Sequence, residues 1–244
     1  MMETRAVLLA NEAMTKDIYK LKLHVPEIAA GVQGGQFVHL QVPGFSLRRP
    51  FTVADADEET ITLIIRRQGK GTSALEQLNP GSELALLGPL GNGFTPFPGP
   101  GLLLGGGIGT AALTLFARRL GECTLVMGGK QAADLWLNQL PLPIGVALEF
   151  ATEDGSKGFA GNLVQYAKKS LKPGMWVAAC GPMPMLTGLQ DLLLQRKIPG
   201  QFALEERMAC GLGACRGCTC TTTKGNALVC KDGPVFAAEE VVFS

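Results

Sequence analysis

Four cysteines near the end of the chain place the strongest constraint on what it can fold into. They are Cys210, Cys215, Cys218 and Cys230, so the spacing is C-x4-C-x2-C with a fourth cysteine twelve residues further on. This spacing matches the plant-type ligand pattern of a [2Fe–2S] cluster. Glycines separate the first three cysteines, which lets the backbone turn and direct its N–H groups toward the sulfurs. The spacing therefore predicts a loop that holds a one-electron iron–sulfur cluster.

A structural zinc ion is the main alternative for the same four thiols. Zinc sites usually draw their ligands from two short C-x2–4-C arms, whereas here only Cys215 and Cys218 form a C-x2-C pair. A disulfide framework is less favoured, because the seven cysteines are an odd number and the start of the chain does not read as a secretion signal. Cys220 could replace a neighbour as ligand, but the spacing favours Cys218.

The composition argues against several other classes of protein. The 244 residues suffice for two compact domains. A net charge of +1 offers no broad field for nucleic acid or an acidic membrane. The longest apolar stretch, residues 102–116, contains four glycines and is too short to span a bilayer. Because charged residues make up only 18%, we expect part of the surface to be buried against a partner protein. Because the start of the chain does not read as a targeting segment, we expect a cytoplasmic location.

The first 98 residues contain short segments in which apolar and polar residues alternate. The clearest are 18–25, 37–42 and 60–65, with glycine and proline turns between them. Several short strands at this spacing predict a small antiparallel β-barrel. His24 and His39 fall within these segments, and we interpret them as ordinary strand residues.

After a linker rich in proline and glycine at 96–101, predicted strands and helices alternate. The strands are 102–104, 123–127, 146–150, 176–180 and 201–204, and the helices are 111–120, 132–140, 162–171 and 185–196. This alternation indicates a parallel sheet with helices on both faces. We expect three parts: a barrel over 1–98, an α/β domain over 99–204 and a cysteine lobe over 205–244.

A run of glycines follows the first strand of the α/β domain. Gly105, Gly106, Gly107 and Gly109 precede a helix, and such a turn offers a phosphate exposed N–H donors with no Cβ in the way. The run is not the Rossmann G-x-G-x-x-G motif, because Thr110 occupies the position of the third glycine. A tight strand-to-helix turn without a ligand would also explain it.

Two segments of the barrel carry residues suited to a flavin nucleotide. Arg49 can pair with a pyrophosphate, Thr52 can hydrogen-bond the edge of a flavin ring, and Phe51 supplies an apolar wall. Downstream, Gly71 and Thr72 precede a short helix and offer a second phosphate site. A surface turn would explain either segment almost as well.

A third segment, Cys180-Gly181-Pro182, ends a predicted strand and begins a helix. Because ligands bind at the carboxyl ends of parallel strands, Cys180 could face a bound nicotinamide. A small buried core residue is an equally good interpretation.

In this order the motifs resemble those of the ferredoxin–NADP reductase superfamily, along nearly the whole chain. Arg49-Pro50-Phe51-Thr52 looks like the flavin motif Arg-Pro-x-Ser/Thr, and Gly71-Thr72 looks like a second FAD phosphate contact. The sequence of residues 88–94 is similar to the segment that ends the family's flavin barrel. The glycine run, residues 152–156 and the late Cys-Gly-Pro resemble signatures of its nicotinamide domain.

The cysteine loop resembles that of one subfamily, the electron-transfer subunits of bacterial dihydroorotate dehydrogenase. Oxygenase reductases instead attach a separate and larger ferredoxin domain, whereas only 35 residues run from Cys210 to the end here. Two departures, Ala112 in place of a frequent proline and the additional Cys220, change no expected ligand.

The resemblance implies an NAD-linked oxidoreductase subunit that relays electrons between NAD(H), FAD and a [2Fe–2S] cluster. The implied partner is the FMN-containing catalytic subunit of dihydroorotate dehydrogenase, an enzyme of pyrimidine biosynthesis, in a heterotetramer of two relay and two catalytic subunits. Because the cofactors carry the chemistry, no catalytic acid or base is expected. The residues expected to bind cofactors are Arg49, Pro50, Phe51, Thr52, Ile64, Ile65, Arg66, Gly71, Thr72, Gly105, Gly106, Gly107, Gly109, Cys180, Gly181 and Pro182.

Other functions stay open at this point. The chain could be the flavin and iron–sulfur subunit of another complex, of the sulfide dehydrogenase, transhydrogenase or sulfite reductase type. From a different class, it could be a zinc-binding protein without enzymatic activity. The choice between NAD and NADP depends on a contact to the 2′-phosphate, for which Lys130 is only a candidate.

Overall fold

Six antiparallel strands close into a barrel in the first part of the chain. In the computed structural model, which describes residues 2–243, these strands are β1 (Met2–Ala13), β2 (Ile18–His24), β3 (Phe37–Leu40), β4 (Arg49–Ala56), β5 (Thr60–Arg66) and β6 (Glu83–Leu90). Their order is β1-β2-β5-β4-β3-β6, and β6 pairs back with β1. Two short helices, α1 (Pro26–Ala29) and α2 (Lys70–Glu76), lie in the connections. The predicted antiparallel barrel is confirmed.

The alternation read from the sequence explains why the barrel closes. On β5, the side chains of Ile61, Leu63 and Ile65 point into the barrel and are at most 1% exposed. Ile64, between them, instead packs against the α/β domain. Burying each of these side chains stabilises the fold by roughly 1.5–3 kcal/mol. The barrel therefore has one face for its own core and one for the neighbouring domain.

The second domain contains a seven-stranded sheet with helices on both faces. Its parallel strands are β7 (Gly101–Gly106), β8 (Cys123–Gly129), β9 (Val146–Thr152), β10 (Phe159–Ala160), β11 (Trp176–Cys180) and β12 (Gly200–Ala203). The order is β10-β9-β8-β7-β11-β12-β15, where β15 (Val235–Ala237) is antiparallel to β12. Helix α3 (Ala111–Leu120) packs in one apolar cluster, and α4 (Leu163–Ser170) and α5 (Met183–Arg196) pack in another. The predicted parallel-sheet domain is confirmed.

One predicted helix is absent from this domain. Residues 132–140 form two 3-10 turns, Ala132–Asp134 and Leu137–Gln139, so the helix prediction is wrong there. Three consecutive side chains, 135–137, are buried, which departs from the spacing of three or four residues that an amphipathic helix shows. The carboxylate of Asp134 also accepts hydrogen bonds from the backbone N–H groups of Lys130 and Gln131, which fixes a local turn.

The cysteine lobe packs against both preceding parts. After an irregular loop it forms a hairpin of β13 (Thr219–Thr222) and β14 (Gly225–Leu228), and β15 then joins the sheet of the α/β domain. Its buried Cys218 and Cys230 share an apolar cluster with Phe37 and Leu87 on the outer face of the barrel. The predicted boundaries at 98/99 and 204/205 stay a prediction. None of the helices in residues 2–243 combines the length and the hydropathy that crossing a membrane would require.

Candidate cofactor-binding sites

A cavity of about 240 Å³ lies where the barrel, the α/β domain and the cysteine lobe meet. From the predicted flavin-binding set it is lined by Pro50, Phe51, Thr52, Ile64, Ile65, Arg66 and Thr72. The α/β domain contributes Ile108 and Gly109, which belong to the turn after β7. The cysteine lobe contributes Glu205, Met208 and Pro234. Pairing of β4 with β5 brings residues 50–52 and 64–66 of the predicted set to one place.

Arg49 and Gly71 do not line this cavity but lie against each other beside it. A Cβ added to Gly71 would be 3.5 Å from Nε of Arg49. The guanidinium is oriented by a 2.8 Å hydrogen bond from Nη1 to the carbonyl of Leu47 and lies over the ring of Phe45. The hydroxyl of Thr72 accepts a 2.9 Å hydrogen bond from the backbone N–H of Gln68, which fixes the turn before α2. A charged guanidinium beside a buried glycine fits the phosphate end of a dinucleotide.

A larger cavity, of about 570 Å³, lies at the carboxyl ends of β7, β8 and β9. This is the end of a parallel sheet at which ligands bind. The predicted residues Gly106, Gly107 and Pro182 line it, as does Lys130, together with Asp134 and Glu153. Arg66 lines both cavities, so the two adjoin at this side chain.

Some glycines of the glycine run are required by close packing of the backbone, and others line a cavity. A Cβ on Gly105 would be 2.3 Å from Oγ1 of Thr110, and one on Gly109 would be 2.8 Å from the carbonyl of Cys180. These two glycines are required by close approach of the backbone. Gly107 is different, because it has a φ of +56° and an added Cβ would meet only the end of the Arg66 side chain, at 3.6 Å. Close packing therefore explains Gly105 and also constrains Gly109, which lines the smaller cavity, whereas Gly107 borders the larger cavity.

Cys180 ends β11 but lines neither cavity, and the same holds for Gly181. The Cys180 thiol is buried and lies 3.8 Å from Oε1 of Glu205. Burial raises the pKa of Cys180 well above its ordinary value, and the neighbouring Glu205 raises it further. Burial also raises the pKa of Glu205, although Cys180 and Arg66 oppose that shift. The core interpretation of Cys180 therefore describes its surroundings well.

Glu205 is a cavity residue that the sequence reasoning did not single out. It follows β12, the strand next to β11, so it occupies the same carboxyl edge of the sheet as Cys180. An acidic residue at the end of a predicted strand was the signal that could have indicated it.

The cysteine loop directs backbone N–H groups at the sulfurs of all four predicted ligands. Cys210 accepts from the N–H groups of Leu212 and Cys215, both at 3.4 Å, and Cys215 accepts from Gly217 at 3.5 Å. The Sγ of Cys230 accepts from Gly213 at 3.1 Å, and the Sγ of Cys218 accepts from the N–H of Cys230 at 3.4 Å. N–H donors of this kind stabilise thiolates and tune an iron–sulfur cluster.

The environments of the four thiols differ. The two backbone N–H donors lower the pKa of Cys210 to about 6, whereas burial raises the pKa of Cys230 to about 12. Cys218 is also buried, and Cys215 is exposed. Within residues 2–243, no three His, Cys, Asp or Glu side chains converge on a single metal-binding point, so the fit to a cluster rests on the donor set and the N–H groups around it. The donor set, four thiols in one loop with N–H groups aimed at them, fits a [2Fe–2S] cluster.

Cys220 stands apart from these four. It lies on β13 and packs among apolar side chains. Burial, followed by the charge of Glu206, raises the pKa of its thiol. It lies near the loop without belonging to the set of sulfurs described above.

Two family models match separate parts of the chain. The oxidoreductase FAD-binding domain matches residues 5–94, which include the whole barrel from Arg5 onward. The iron–sulfur cluster binding domain of dihydroorotate dehydrogenase B matches residues 205–242. The second match covers the four cysteines and identifies their lobe as an iron–sulfur domain.

Solved structures support the same fold. The chain is similar to an NADH-dependent reduced ferredoxin-NADP oxidoreductase that was studied for flavin-based electron bifurcation, with a TM-score of 0.83 and 27% identity over 97% of this chain and 89% of that one. It also shares its fold with the ferredoxin reductase of carbazole 1,9a-dioxygenase, with a TM-score of 0.72 and 22% identity over 82% of this chain and 68% of that one.

Curated relatives match from end to end. The dihydroorotate dehydrogenase B (NAD(+)) electron transfer subunit of Caldanaerobacter subterraneus subsp. tengcongensis is 34% identical, with 98% of each chain covered. The subunit of the same name from Geobacillus kaustophilus is 36% identical, again with 98% of each chain covered. The resemblance stated from the motifs is confirmed: this chain belongs to the family of electron transfer subunits of dihydroorotate dehydrogenase B.

Proposed function

We propose that this chain relays electrons between a nicotinamide and a catalytic partner subunit by means of FAD and a [2Fe–2S] cluster. The observation that carries the proposal is the smaller cavity, which is lined by all three parts of the chain. Thr52 comes from the flavin barrel, Gly109 from the α/β domain and Met208 from the cysteine lobe. A flavin bound there would have the nicotinamide domain on one side and the cluster lobe on another.

The barrel supplies the groups that would hold FAD. Arg49, with Gly71 beside it, is suited to the pyrophosphate, because an arginine binds phosphate oxygens with two parallel hydrogen bonds. Pro50, Phe51 and Thr52 line the cavity in which the flavin ring would lie. When bound, FAD exchanges electron pairs with a nicotinamide and single electrons with a cluster, which no side chain of the chain can do.

The larger cavity is suited to NAD(H). It adjoins the flavin cavity at Arg66, and Gly107 lines it beside that guanidinium without a side chain. The carboxylates of Asp134 and Glu153 border this cavity together with Lys130. Acidic groups at this position favour a ribose hydroxyl over a 2′-phosphate, which supports NAD(H) over NADP(H).

The cysteine lobe would hold the cluster through Cys210, Cys215, Cys218 and Cys230. Their sulfurs accept the N–H hydrogen bonds described above, and those bonds would disperse the negative charge of bound thiolates. Cys215 is exposed, so the side of the cluster held there would face the molecular surface and a partner. No residue of the chain is needed to transfer a proton to substrate.

The partner is the FMN-containing catalytic subunit of dihydroorotate dehydrogenase, with which the chain forms a heterotetramer of two relay and two catalytic subunits in the cytoplasm. The family's name, an electron transfer subunit, supports a separate catalytic subunit. Within residues 2–243 none of the seven cysteines forms a disulfide, which supports a reducing compartment.

A second candidate is the flavin and iron–sulfur subunit of a bifurcating oxidoreductase. The likeness to the NADH-dependent ferredoxin-NADP oxidoreductase, with a TM-score of 0.83, favours it. The two candidates differ in the partner that accepts or donates electrons, and not in the cofactors of this chain.

The test uses protein purified without oxygen, alone and together with the catalytic subunit encoded by the same organism. We expect two irons, two sulfides and one FAD per chain, and formation of NADH when dihydroorotate and NAD⁺ are added to the complex. Zinc without flavin would contradict the proposal. Full cofactors with no dihydroorotate-dependent NADH would favour the second candidate.

A further inference from the structure

We propose that Asn92 and His39 are positioning residues that fix the two ends of the cysteine loop against the flavin barrel. They would thereby set the distance over which electrons pass between FAD and the cluster, so this inference rests on the proposed function. Asn92 follows β6, and His39 lies on β3, the strand paired with β6. The two residues therefore lie on, or just after, neighbouring strands of the barrel.

Asn92 binds the segment that follows Cys230. Its backbone N–H donates a 2.7 Å hydrogen bond to the carbonyl of Gly233. Its side-chain Nδ2 donates to the carbonyl of Val235 at 2.8 Å and approaches that of Asp232 at 3.4 Å, while its Oδ1 accepts from the N–H of Val235 at 2.9 Å. One asparagine thus uses its donor and its acceptor on a segment that begins two residues after a cluster ligand.

The residues around Asn92 bring the two segments close together. Gly91 has a φ of +70°, and a Cβ added there would be 2.4 Å from Cδ of Pro234. Its carbonyl accepts a 2.7 Å hydrogen bond from Nε2 of Gln36, in the turn before β3. The barrel therefore fixes the backbone next to Asn92, and Asn92 in turn hydrogen-bonds the cysteine lobe.

His39 supports the other end of the loop. Its neighbours Val38 and Leu40 pack in the barrel core, so the imidazole points outward, yet it is only 1% exposed. The ring lies under Gly211, the residue after Cys210, where an added Cβ would be 2.8 Å from Nδ1. Its Nε2 has no hydrogen-bond partner within residues 2–243, so the ring is held there by packing.

Neither residue takes part in binding a cofactor in the arrangement proposed above. Asn92, His39 and Gln36 line neither cavity, and none of them bonds to a cysteine sulfur. The contacts of Asn92 and His39 are instead with backbone one to five residues from Cys210 or Cys230, and Gln36 contacts the Gly91 carbonyl. Substituting them is therefore expected to change where the loop lies and not which groups hold the cluster.

The test compares Asn92→Ala, Asn92→Asp and His39→Ala with two matched controls, Asn226→Ala and His24→Ala. Asn226 is an exposed asparagine in the hairpin of the same lobe, and His24 is the chain's other histidine, on the solvent side of β2. The aspartate variant keeps the acceptor for Val235 but loses the donor, so it isolates the two carbonyl contacts. Full-length protein with both cofactors is used throughout.

Rapid mixing with NADH separates two steps by their colour changes: loss of the oxidised flavin band and then reduction of the cluster. Each NADH gives up two electrons and becomes NAD⁺; the cluster takes up one of them and the other stays on the flavin. We expect unchanged FAD and iron content and an unchanged rate of flavin reduction in the three variants. Cluster reduction should slow several-fold, because the rate of electron transfer falls as the distance between donor and acceptor grows.

A second readout does not depend on electron transfer. Backbone hydrogen exchange over residues 205–235 should be faster in the Asn92 and His39 variants than in the wild type and the controls. Wild-type exchange and wild-type cluster reduction in fully loaded variants would overturn the inference. If NADH does not reduce the cluster in the unmutated protein, the proposed function fails, and hydrogen exchange alone still decides whether these residues position the loop.

Loss of the cluster in His39→Ala would assign His39 to folding of the loop and overturn its positioning role. If the Asn92 variants lose the cluster, the milder variant Gln36→Ala decides for Asn92, because it removes the hydrogen bond to the Gly91 carbonyl, together with one from the N–H of Gln33, and leaves Asn92 itself unchanged. Faster exchange at residues 231–235 with full iron content in Gln36→Ala would uphold the inference, and unchanged exchange would overturn it.

Discussion

The guanidinium of Arg49 lies against the backbone of Gly71, where an added Cβ would be 3.5 Å from Nε. One residue begins β4 and the other lies in the first turn of α2, so the contact joins the two segments that the sequence singled out for phosphate binding.

We expect Arg49→Ala to weaken FAD binding, because a hydrogen bond to a charged group contributes roughly 1.5–3 kcal/mol. The FAD content of the purified protein and its dissociation constant measure the effect. Arg5→Ala is the control, since Arg5 is an exposed barrel arginine that pairs with Glu83. Equal FAD affinity in Arg49→Ala and wild type would remove Arg49 from the site.

Cys218→Ser is expected to abolish or severely deplete the cluster, whereas Cys220→Ser should leave it in place. The Cys218 sulfur accepts an N–H hydrogen bond from Cys230, and Cys220 lies on β13 among apolar side chains. Iron and sulfide analysis and the visible spectrum provide the measurement. Equal losses in the two variants would show that the ligand assignment is wrong.

Gly107→Val is expected to raise the KM for NADH by about tenfold or more without lowering FAD content. The new side chain would enter the larger cavity beside Arg66. Because valine at a φ of +56° also strains the backbone by roughly 1–2 kcal/mol, Gly121→Val serves as the control. Gly121 has a φ of +71° with open space around it. A similar rise in KM in the control would attribute the effect to strain.

The turn between β4 and β5 should make stability depend on acid pH. A hydrogen bond from the Thr60 hydroxyl, aided by the N–H groups of Glu59 and Thr60, lowers the pKa of Asp57 from 3.8 to about 2. The folded state therefore favours the carboxylate, and this contribution is fully present above about pH 4 and is lost as the pH falls toward 2. Asp57→Ala should lower the unfolding free energy by at most about 1 kcal/mol at pH 6, because the turn is exposed. The difference from wild type should shrink below pH 4 in urea titrations, and a difference independent of pH would contradict this account.

Much of the fold could be predicted from local sequence patterns. Alternation predicted β5 because Ile61, Leu63 and Ile65 share the barrel interior. It did not predict β1, because a bulge between Leu8 and Ala10 shifts the register and interrupts the alternation. The cysteine spacing likewise indicated the loop, but spacing says nothing about which N–H groups would reach the sulfurs.

Contacts between distant segments could not be predicted. Asn92 lies in a glycine-rich turn, and its partner Val235 is far along the chain. Glu205 reaches Cys180 only because β11 and β12 are neighbours in the sheet. The strand β15 is three residues long, and its pairing with β12 depends on the path of the whole cysteine lobe. No single sequence window contains that information.

Because β15 of the cysteine lobe is an antiparallel strand of the α/β sheet, the lobe is structurally continuous with the α/β domain. It cannot be removed without exposing β12. Cutting the chain after β12 would remove the cluster ligands and would also leave the row of backbone N–H and carbonyl groups on β12 open at the edge of the sheet. Such an edge invites pairing with other chains. A designer who wished to exchange this redox centre for another would therefore have to keep residues 233–238 or supply a replacement strand, and shortened versions of the chain should tend to aggregate.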